Sequence, residues 1–312
     1  VPEIQEIIRG NETVPSMFRF KTLEFKDKVR LIRDRINNCS ESLYRRDNRE
    51  FSSKVEASFS KFFSIFLKDV FATSITDLET TLKGQSKEII DASMAYFREE
   101  LAEYIFSAPF VSRAYSKPYG YAGDFELMNH IYNNEAIGDD LFGKCLHKAM
   151  LEAPASVAVR NRAYFLHNWI AKFIQENSGR PLRILSVASG PARELQFLIE
   201  QDAHLLKKVE FYLLDQDLQA LRQARNDLQK LARSKGLADP DKFMNIAIRN
   251  VIEEGLGADK FDLIYSAGLF DYFGDGVAFM AGKALFENVS EGGSLIIGNF
   301  SSYNPTRFMM EI

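Results

Sequence analysis

Cysteine is scarce in this sequence, whose 312 residues include only Cys39 and Cys145. The two do not form a C-x-x-C pair, so the sequence contains neither a disulfide framework nor a cysteine zinc site, and we predict no metal. Cytoplasmic proteins keep their thiols reduced, whereas small secreted domains are rich in disulfides. We therefore expect a cytoplasmic protein.

An excess of positive charge and long apolar runs are also lacking. The formal net charge is −4 and the pI is about 5.8, which argues against nucleic-acid binding through a basic face. No apolar run reaches the roughly 18 to 20 residues of a membrane span, and the opening residues do not follow a signal-peptide pattern. We expect neither a nucleic-acid partner nor a membrane span.

The N-terminal third is almost free of helix breakers. Between Phe20 and Phe106 there is no proline and a single glycine, Gly84. This composition predicts long helices, and we assign residues 1–108 to a helical N-terminal region. One apolar stripe, at spacings of three and four, predicts a helix face turned toward the core. Its members are Val55, Phe59, Phe62, Phe63, Phe66 and Val70.

Residues 109–178 combine a loop rich in tyrosine and glycine with further helices. Within "SKPYGYAGDF", Pro118, Gly120 and Gly123 exclude a regular helix. Asp124 is placed to cap a helix that begins at the next residue. We expect this segment to join the two regions and to cover the functional site.

From residue 179 the pattern changes to short apolar strands that alternate with helices. The predicted strands are 184–188, 209–214, 243–248, 261–266 and 294–299, and the predicted helices are 156–177 before them and 193–200, 218–234 and 277–289 among them. Such a βαβ series is typical of a mostly parallel sheet with helices on both faces. We assign residues 179–312 to this α/β domain.

The turn after the first strand is the first place to search for a ligand site, because ligands of such sheets bind beyond the carboxyl ends of the strands. That turn is Ala188-Ser189-Gly190-Pro191-Ala192, within "RILSVASGPARELQFLIE". A dinucleotide site requires G-x-G-x-x-G, since the pyrophosphate approaches backbone N–H groups at the helix start. This turn has one glycine of the three, and Pro191 has no N–H donor. The sequence therefore disfavours a phosphate-binding loop.

A nucleoside without phosphates requires less from the protein. Asp215, in "FYLLDQD", directly follows the second apolar strand. Its two carboxylate oxygens can accept hydrogen bonds from neighbouring ribose hydroxyls. The alternative is that Asp215 or Asp217 only caps the next helix. Asp217 can cap while Asp215 binds, so both interpretations stay open.

Four motifs, in order along the chain, resemble those of the class I S-adenosylmethionine-dependent methyltransferases: "ILSVASGPARE", "FYLLDQD", "FDLIYSAGLFDYF" and "EGGSLIIGNF". The resemblance covers about residues 180–300 and implies a Rossmann-like, mostly parallel sheet that binds S-adenosylmethionine. Class I sheets also have a sixth and a seventh strand, so we expect the α/β domain to be incomplete at its C-terminal end.

The same resemblance implies which residues contact the cofactor. They are Ala188, Ser189, Gly190 and Pro191 toward its methionine end, Asp215 and Gln216 at the ribose, Asn250 and Val251 beside the adenine, and Ser266, Ala267 and Gly268 at the reaction centre. The first motif of the family usually contains G-x-G, and this turn departs from that pattern.

A narrower resemblance rests on "KPYGYAGDFELMNHIY", "VRNRAYFLHNWI", "SAGLFDYF" and "NFSSYNPTRFMME". These segments are similar to those of the bacterial 3-hydroxypalmitate methyl ester biosynthesis family. The resemblance covers about residues 108–310. It implies methylation of the carboxyl group of a 3-hydroxy fatty acid, which is a small or lipid-like acceptor.

Methyl transfer from a sulfonium is an in-line displacement in which positioning does most of the work. A carboxylate acceptor is ionised at neutral pH and requires no general base, whereas a hydroxyl or an amine requires one. No histidine occurs in the α/β motifs, which favours a carboxylate acceptor. Our catalytic candidates are Tyr121 and Asp271, although Asp271 could instead cap the helix after the fourth strand.

Aromatic and charged residues before the sheet are candidates for a lid or an acceptor wall. Tyrosine rings could cover a cationic sulfonium, or they could pack as core residues between the two regions. Arginines could bind a carboxylate, the alternative being surface salt bridges. The candidates are Tyr115, Tyr119, Tyr121 and Asp124 for the lid, and Arg113, Arg160 and Arg162 for the carboxylate.

The sequence thus predicts an S-adenosylmethionine-dependent methyltransferase with a small-molecule acceptor, such as a fatty acid. One alternative is a methyltransferase for protein side-chain carboxylates. Another is a non-catalytic S-adenosylmethionine-binding sensor, whose helices bind a partner or form a homodimer. A long apolar tunnel would favour a fatty acyl acceptor, and a shallow open groove would favour a protein.

Overall fold

The computed structural model describes residues 13–44 and 49–311 of the chain. The described residues form two compact units. One unit comprises the described residues up to Gly123, Asn133–Val157 and those from Asn304 onward. The other comprises Asp124–Tyr132 and Ala158–Tyr303. We call them the helical unit and the sheet unit. The predicted helical segment 1–108 includes residues 1–12 and 45–48, which lie outside the described residues.

The helices, in chain order, are α1 Ser16–Tyr44, α2 Arg49–Thr81, α3 Lys87–Ile105, α4 Pro109–Ser116, α5 Phe125–Asn133, α6 Leu141–Leu151, α7 Pro154–Glu176, α8 Arg193–Asp202, α9 Leu218–Ser234, α10 Ile248–Glu254, α11 Asp275–Glu287 and α12 Arg307–Glu311. The strands are β1 Leu182–Val187, β2 Val209–Asp215, β3 Lys242–Asn245, β4 Phe261–Ala267 and β5 Val289–Gly298. Short 3-10 turns follow α8 at Ala203–Lys208 and β4 at Phe270–Tyr272.

The helical unit contains the long helices that the sequence predicts. Phe25 of α1 packs edge-on against Phe71 of α2, with ring centroids 4.9 Å apart, and stacks on Phe97 of α3 at 6.1 Å. All three rings are buried. The core of this unit is therefore made where α1, α2 and α3 meet, as expected for amphipathic helices without internal glycine or proline.

The predicted core stripe of α2 is wrong at two positions. The Phe62 side chain is 68% exposed and Phe66 is 47% exposed. The buried face instead runs through Leu67, Phe71 and Leu78, with Phe63 only partly buried against the same core. A helix with apolar residues on more than one face cannot be oriented from its own spacing, because the neighbouring helices decide which face is covered.

The sheet unit confirms the predicted mostly parallel sheet. The described strands form one five-stranded sheet in the order β3-β2-β1-β4-β5, and every neighbouring pair is parallel. The chain moves outward from β1 to β3 and then crosses to the other side of β1 with β4. This reversal is a topological switch point, and it lies between β1 and β4.

Helices cover both faces of the sheet, and side chains of β1 alternate between them. Ile184 packs in a cluster with residues of α7, α8 and α9, whereas Leu185 packs in a cluster with residues of α10 and α11. Both side chains are fully buried. Burial on both faces explains why β1 and β4 are nearly continuous apolar runs.

Two predicted boundaries are wrong. The third strand ends at Asn245 rather than at Ile248, and Ile248 begins α10. Val289 begins β5 and pairs with Phe261, so it does not end the preceding helix. In both places the local pattern is compatible with a strand and with a helix, and only pairing with a neighbour separates them.

Two further observations concern the described residues alone. None of their helices combines the length and the apolar character that crossing a membrane requires. Among the same residues, no cluster of three or more His, Cys, Asp or Glu side chains is arranged to hold a metal ion.

Candidate functional site

The turn between β1 and α8 is held in a strained conformation. Ala188, Gly190 and Ala192 have φ angles of +53°, +51° and +50°. A left-handed conformation costs a non-glycine residue roughly 1 kcal/mol or more, and such residues cluster at functional sites. The Ala192 N–H donates to the Ser189 carbonyl at 2.9 Å, which closes the turn. Pro191 is buried within it.

Asp215, at the end of β2, fixes this turn from the adjacent strand. Its Oδ2 accepts a hydrogen bond from the Gly190 N–H at 2.8 Å, and its Oδ1 accepts one from the Asp217 N–H at 2.9 Å. The side chain is 7% exposed. Burial raises the pKa of Asp215, and the two backbone N–H groups oppose that effect. The carboxylate is therefore held in place by main-chain donors.

Asp217 caps α9, as the sequence predicts. Its Oδ1 accepts hydrogen bonds from the Gln219 N–H at 2.8 Å and from the Ala220 N–H at 3.3 Å. Asp217 thus satisfies the helix start, and Asp215 holds the turn after β1. The contact of Asp215 with a ribose stays a prediction.

Asn245 is a residue that the sequence reasoning missed. Its Nδ2 donates to the main-chain carbonyls of Asp215 and Gln216, each at 3.0 Å. The end of β3 therefore braces the end of β2, and Gln216 is held through its main chain while its side chain is exposed. The sequence signal that could have identified Asn245 is an amide side chain at the end of an apolar strand.

Of the two residues predicted to border an adenine, the structure exposes one. Asn250 lies on the surface of α10, whereas Val251 is fully buried in the core between α10 and the sheet. Their contact with a ligand stays a prediction.

Two buried serines lie at the carboxyl ends of the neighbouring strands β1 and β4. The hydroxyl oxygens of Ser189 and Ser266 have no hydrogen-bond partner among the described residues. Ser189 is 9% exposed and Ser266 is 1% exposed. A buried hydroxyl without a partner costs free energy, so such groups require an explanation, and a ligand at the switch point would supply it.

Glycines complete this edge of the sheet. No atom of the described chain lies within 4 Å of the position that a Cβ at Gly190 would occupy. After β4, Ala267 is followed by Gly268 with a φ of +91°, and a Cβ there would lie 2.7 Å from Nη1 of Arg162. Gly190 therefore faces open space, whereas Gly268 makes room for an arginine.

The catalytic candidate Asp271 bridges two loops of the sheet unit. Its Oδ1 accepts a hydrogen bond from the Phe300 N–H at 2.7 Å, which ties the turn after β4 to the segment after β5. It does not cap α11, whose N-cap is Gly274, so that alternative is wrong. Asp271 is exposed.

A buried polar network adjoins the turn on the α8 side. The Tyr265 hydroxyl of β4 donates to Oε1 of Glu194 at 2.7 Å, and both side chains are buried. Arg162 of α7 hydrogen-bonds the Tyr132 hydroxyl, and its positive charge acts on Glu194. Burial raises the pKa of Glu194, while the Tyr265 hydrogen bond opposes it, and burial raises the pKa of Tyr132 to about 12.

A cleft of about 330 Å³ opens beside this network. Its walls come from α7 and from the segment after β5. The lining residues are Ala158, Val159, Asn161, Arg162, Phe165, Gly298, Asn299 and Phe300. Its size is at the lower end of the roughly 300 to 1,000 Å³ of small-molecule sites.

The remaining candidates are distributed over both units. Asp124 caps α5, as predicted, by accepting a hydrogen bond from the Leu127 N–H at 2.8 Å. Arg160 of α7 donates to the Ile131 carbonyl at 3.4 Å. The other candidates belong to the helical unit, and their roles stay predictions. They are Tyr115, Tyr119 and Tyr121 for the lid and Arg113 for a carboxylate.

Comparison with known proteins gives one family and several partial structural similarities. The profile of a family described as "Putative methyltransferase" matches residues 119–307. No curated protein matches the chain. Among solved structures, a protein from Bordetella parapertussis described as a possible exported protein is 21% identical, with a TM-score of 0.44, over 56% of this chain and 53% of that one.

Two solved methyltransferases also give partial structural matches. The sugar N-methyltransferase KedS8 from Streptoalloteichus is 18% identical, with a TM-score of 0.32, over 44% of this chain and 48% of that one. Magnesium protoporphyrin IX methyltransferase from Synechocystis, solved with bound SAM, is 11% identical, with a TM-score of 0.34, over 44% and 59%. The chain thus spans about half the length of these structures, from 48% to 59%.

Proposed function

Because this chain belongs to the family described as "Putative methyltransferase", we propose that it transfers a methyl group from S-adenosylmethionine to a carboxylate. The acceptor we propose is a small or lipid-like acid, such as a 3-hydroxy fatty acid. The main observation in support of a donor site is the hydrogen bond from the Gly190 N–H to the Asp215 carboxylate. This bond fixes a carboxylate beside a glycine turn at the switch point of the sheet.

The residues at the switch point fit an adenosyl group. A carboxylate offers about four acceptor positions, and backbone N–H groups of Gly190, Asp217 and Gln216 bond to Asp215, so acceptor capacity remains for a ribose hydroxyl. Gly190 leaves open space where a side chain would otherwise stand. The hydroxyls of Ser189 and Ser266, which lack a partner in residues 13–44 and 49–311, offer hydrogen bonds to the polar methionine end.

When bound, S-adenosylmethionine supplies a methyl group on a sulfonium, and the neutral thioether that remains after the transfer is the leaving group. The task left to the protein is to hold the acceptor oxygen in line and to exclude water. A carboxylate acceptor carries no proton to remove at neutral pH. Asp271, tied to the Phe300 N–H, therefore acts in this proposal by positioning the loops after β4 and β5.

The helical segment before the sheet is our proposed lid. Its support is the exposure of two tyrosines: Tyr115, whose ring centroid lies 4.8 Å from that of Phe106, is 56% exposed, and Tyr119 is 36% exposed. Tyrosine faces of this kind attract a sulfonium. The compartment we propose is the reducing cytoplasm, which suits the free cysteines Cys39 and Cys145.

Titration calorimetry with S-adenosylhomocysteine tests the donor site, and product analysis tests the reaction. We expect the wild-type protein to bind S-adenosylhomocysteine. We also expect it to convert S-adenosylmethionine when 3-hydroxy acids of increasing chain length are supplied, with a methyl ester detected by mass spectrometry. Binding without conversion across the acids would favour the sensor. Absence of binding would refute the proposal.

A further inference from the structure

The arginine in the cleft is placed by two glycines at the ends of neighbouring strands. A Cβ at Gly268, after β4, would lie 2.7 Å from Nη1 of Arg162, and a Cβ at Gly298, at the end of β5, would lie 3.7 Å from its Cδ. Any other residue at Gly268 would collide with the guanidinium. The Arg162 side chain therefore lies directly over the carboxyl ends of β4 and β5.

The buried network holds this guanidinium in one orientation. Arg162 hydrogen-bonds the Tyr132 hydroxyl, and its charge is attracted by the buried carboxyl of Glu194, which Tyr265 fixes with a 2.7 Å hydrogen bond. Ser186 in turn hydrogen-bonds the Tyr265 hydroxyl. A guanidinium with five N–H donors keeps donors for a further partner after these interactions. Fixing it in advance reduces the entropy lost when a ligand binds.

The rest of the cleft is largely apolar. Val159 and Phe165 of α7 and Phe300 after β5 line it, with the amides of Asn161 and Asn299. The Phe165 ring is 60% exposed and adds apolar surface to the wall of the cleft. One fixed cation among apolar walls matches a ligand with one anionic group and an apolar body.

The position of the cleft leaves room for the donor. In the sheet order, β5 is three strands from β2, and strands lie about 4.8 Å apart, so the ends of β2 and β5 are separated by roughly 14 Å. A donor held by Asp215, Ser189 and Ser266 would occupy the ends of β2, β1 and β4. The cleft beyond β4 is therefore free for a second substrate.

We propose that this cleft is the acceptor subsite and that Arg162 binds the carboxylate of an acid with an apolar body. That the bound acid is a methyl acceptor rests on the proposed function, but its binding in this cleft can be tested without the donor. Glu194, Tyr265 and Tyr132 are positioning residues that act through Arg162.

Decanoate and the uncharged decanol, measured by calorimetry without the methyl donor, separate the two parts of the ligand. We expect the wild type to bind decanoate and Arg162→Met to weaken that binding about ten-fold or more, with Arg162→Lys between them. Decanol binding should be the same in all three. Arg225→Met, which removes another arginine of the sheet unit, controls for the change in net charge and should bind decanoate like the wild type.

Removal of Arg162 leaves Glu194 without its cation, so folding needs its own control. The paired variant Arg162→Met with Glu194→Gln, compared with Glu194→Gln alone, keeps the network neutral, and the loss of decanoate binding should persist in it.

Unchanged decanoate binding in both Arg162→Met backgrounds would overturn the inference. So would weaker binding of S-adenosylhomocysteine with decanoate unaffected, because Arg162 would then serve the carboxylate of the donor. A wild type that binds decanoate through Arg162 but not S-adenosylhomocysteine would refute the proposed function and leave this site standing.

Discussion

The carboxylate of Asp215 accepts a hydrogen bond from the backbone N–H of Gly190, 25 residues earlier in the chain, at 2.8 Å. The bond joins the end of β2 to the turn after β1, which are adjacent in the sheet. One side chain therefore shapes the turn and presents its remaining acceptor positions at the same edge. A substitution at Asp215 should change both the stability of the turn and the affinity for a nucleoside.

Asp215→Ala tests this double role. The variant leaves the N–H groups of Gly190 and Asp217 without their acceptor, so we expect the free energy of unfolding to fall by about 1 to 3 kcal/mol. Binding of S-adenosylhomocysteine should weaken by a similar free energy. Urea unfolding and calorimetry measure the two effects. Asp217→Ala is the matched control: it should lower stability by about 1 kcal/mol through the lost helix cap and leave the affinity nearly unchanged.

Gly190→Ala separates backbone strain from ligand access. Gly190 has a φ of +51°, and a Cβ there would point into open space. An alanine should therefore cost only about 1 kcal/mol of stability, from the left-handed conformation, yet its methyl group would fill the proposed ligand space. We expect S-adenosylhomocysteine binding to weaken about ten-fold or more.

Gly292→Ala is the control for that strain. Gly292, in β5, has a φ of +74° and equally open surroundings within the described part of the chain. It should lose about the same stability as Gly190→Ala and keep wild-type affinity. Equal affinities in the two alanine variants would show that the space before Gly190 is not a ligand site.

The fold and one half of the site could be predicted because their signals are local. Apolar strands that alternate with helices predict the parallel sheet, and a glycine after β1 with an acid at the end of β2 predicts that Gly190 and Asp215 lie at one edge of it. The hydrogen bond between them was not predicted. Local signals failed where the packing of neighbouring helices decides which face of a helix is buried. Phe62 and Phe66 have the spacing of a buried stripe, but the packing of α1 and α6 on α2 leaves them exposed.

The other half of the site depends on partners that are distant in the sequence. Glu194 and Tyr265 are 71 residues apart and meet only because α8 packs beside β4. In the sequence alone, Glu194 has the pattern of an ordinary acidic residue in the first turn of a helix. The burial of Glu194 follows from the order of the strands in the sheet, and the placement of Arg162 depends on it. No sequence motif indicates either.

Ser266→Ala should raise stability while it weakens ligand binding. The Ser266 hydroxyl is buried and has no partner within the described part of the chain, so replacing it by a hydrogen removes a desolvation cost and should raise the free energy of unfolding by about 1 kcal/mol. If that hydroxyl serves a ligand, the affinity for S-adenosylhomocysteine falls in the same variant. Ser186→Ala, whose hydroxyl is bonded to Tyr265, should instead lower stability by about 1 kcal/mol. Lower stability with intact affinity in Ser266→Ala would contradict a ligand role.

Glu194→Gln should become more stable relative to the wild type as the pH rises. Burial raises the pKa of Glu194 above its ordinary value of 4.5, so the folded state holds this proton more tightly than the unfolded state. That contribution to stability is fully present below the ordinary pKa and is lost as the pH rises through the folded pKa. Glutamine keeps an acceptor for the Tyr265 hydroxyl and has no proton to lose. The difference in free energy of unfolding, variant minus wild type, should therefore increase from about pH 4 upward and level off above the raised pKa, as measured by urea unfolding at each pH. Glu200→Gln, at an exposed position of the same helix, controls for the loss of one negative charge. A difference that decreases with pH would mean that Arg162 and Tyr265 stabilise the carboxylate more than burial destabilises it.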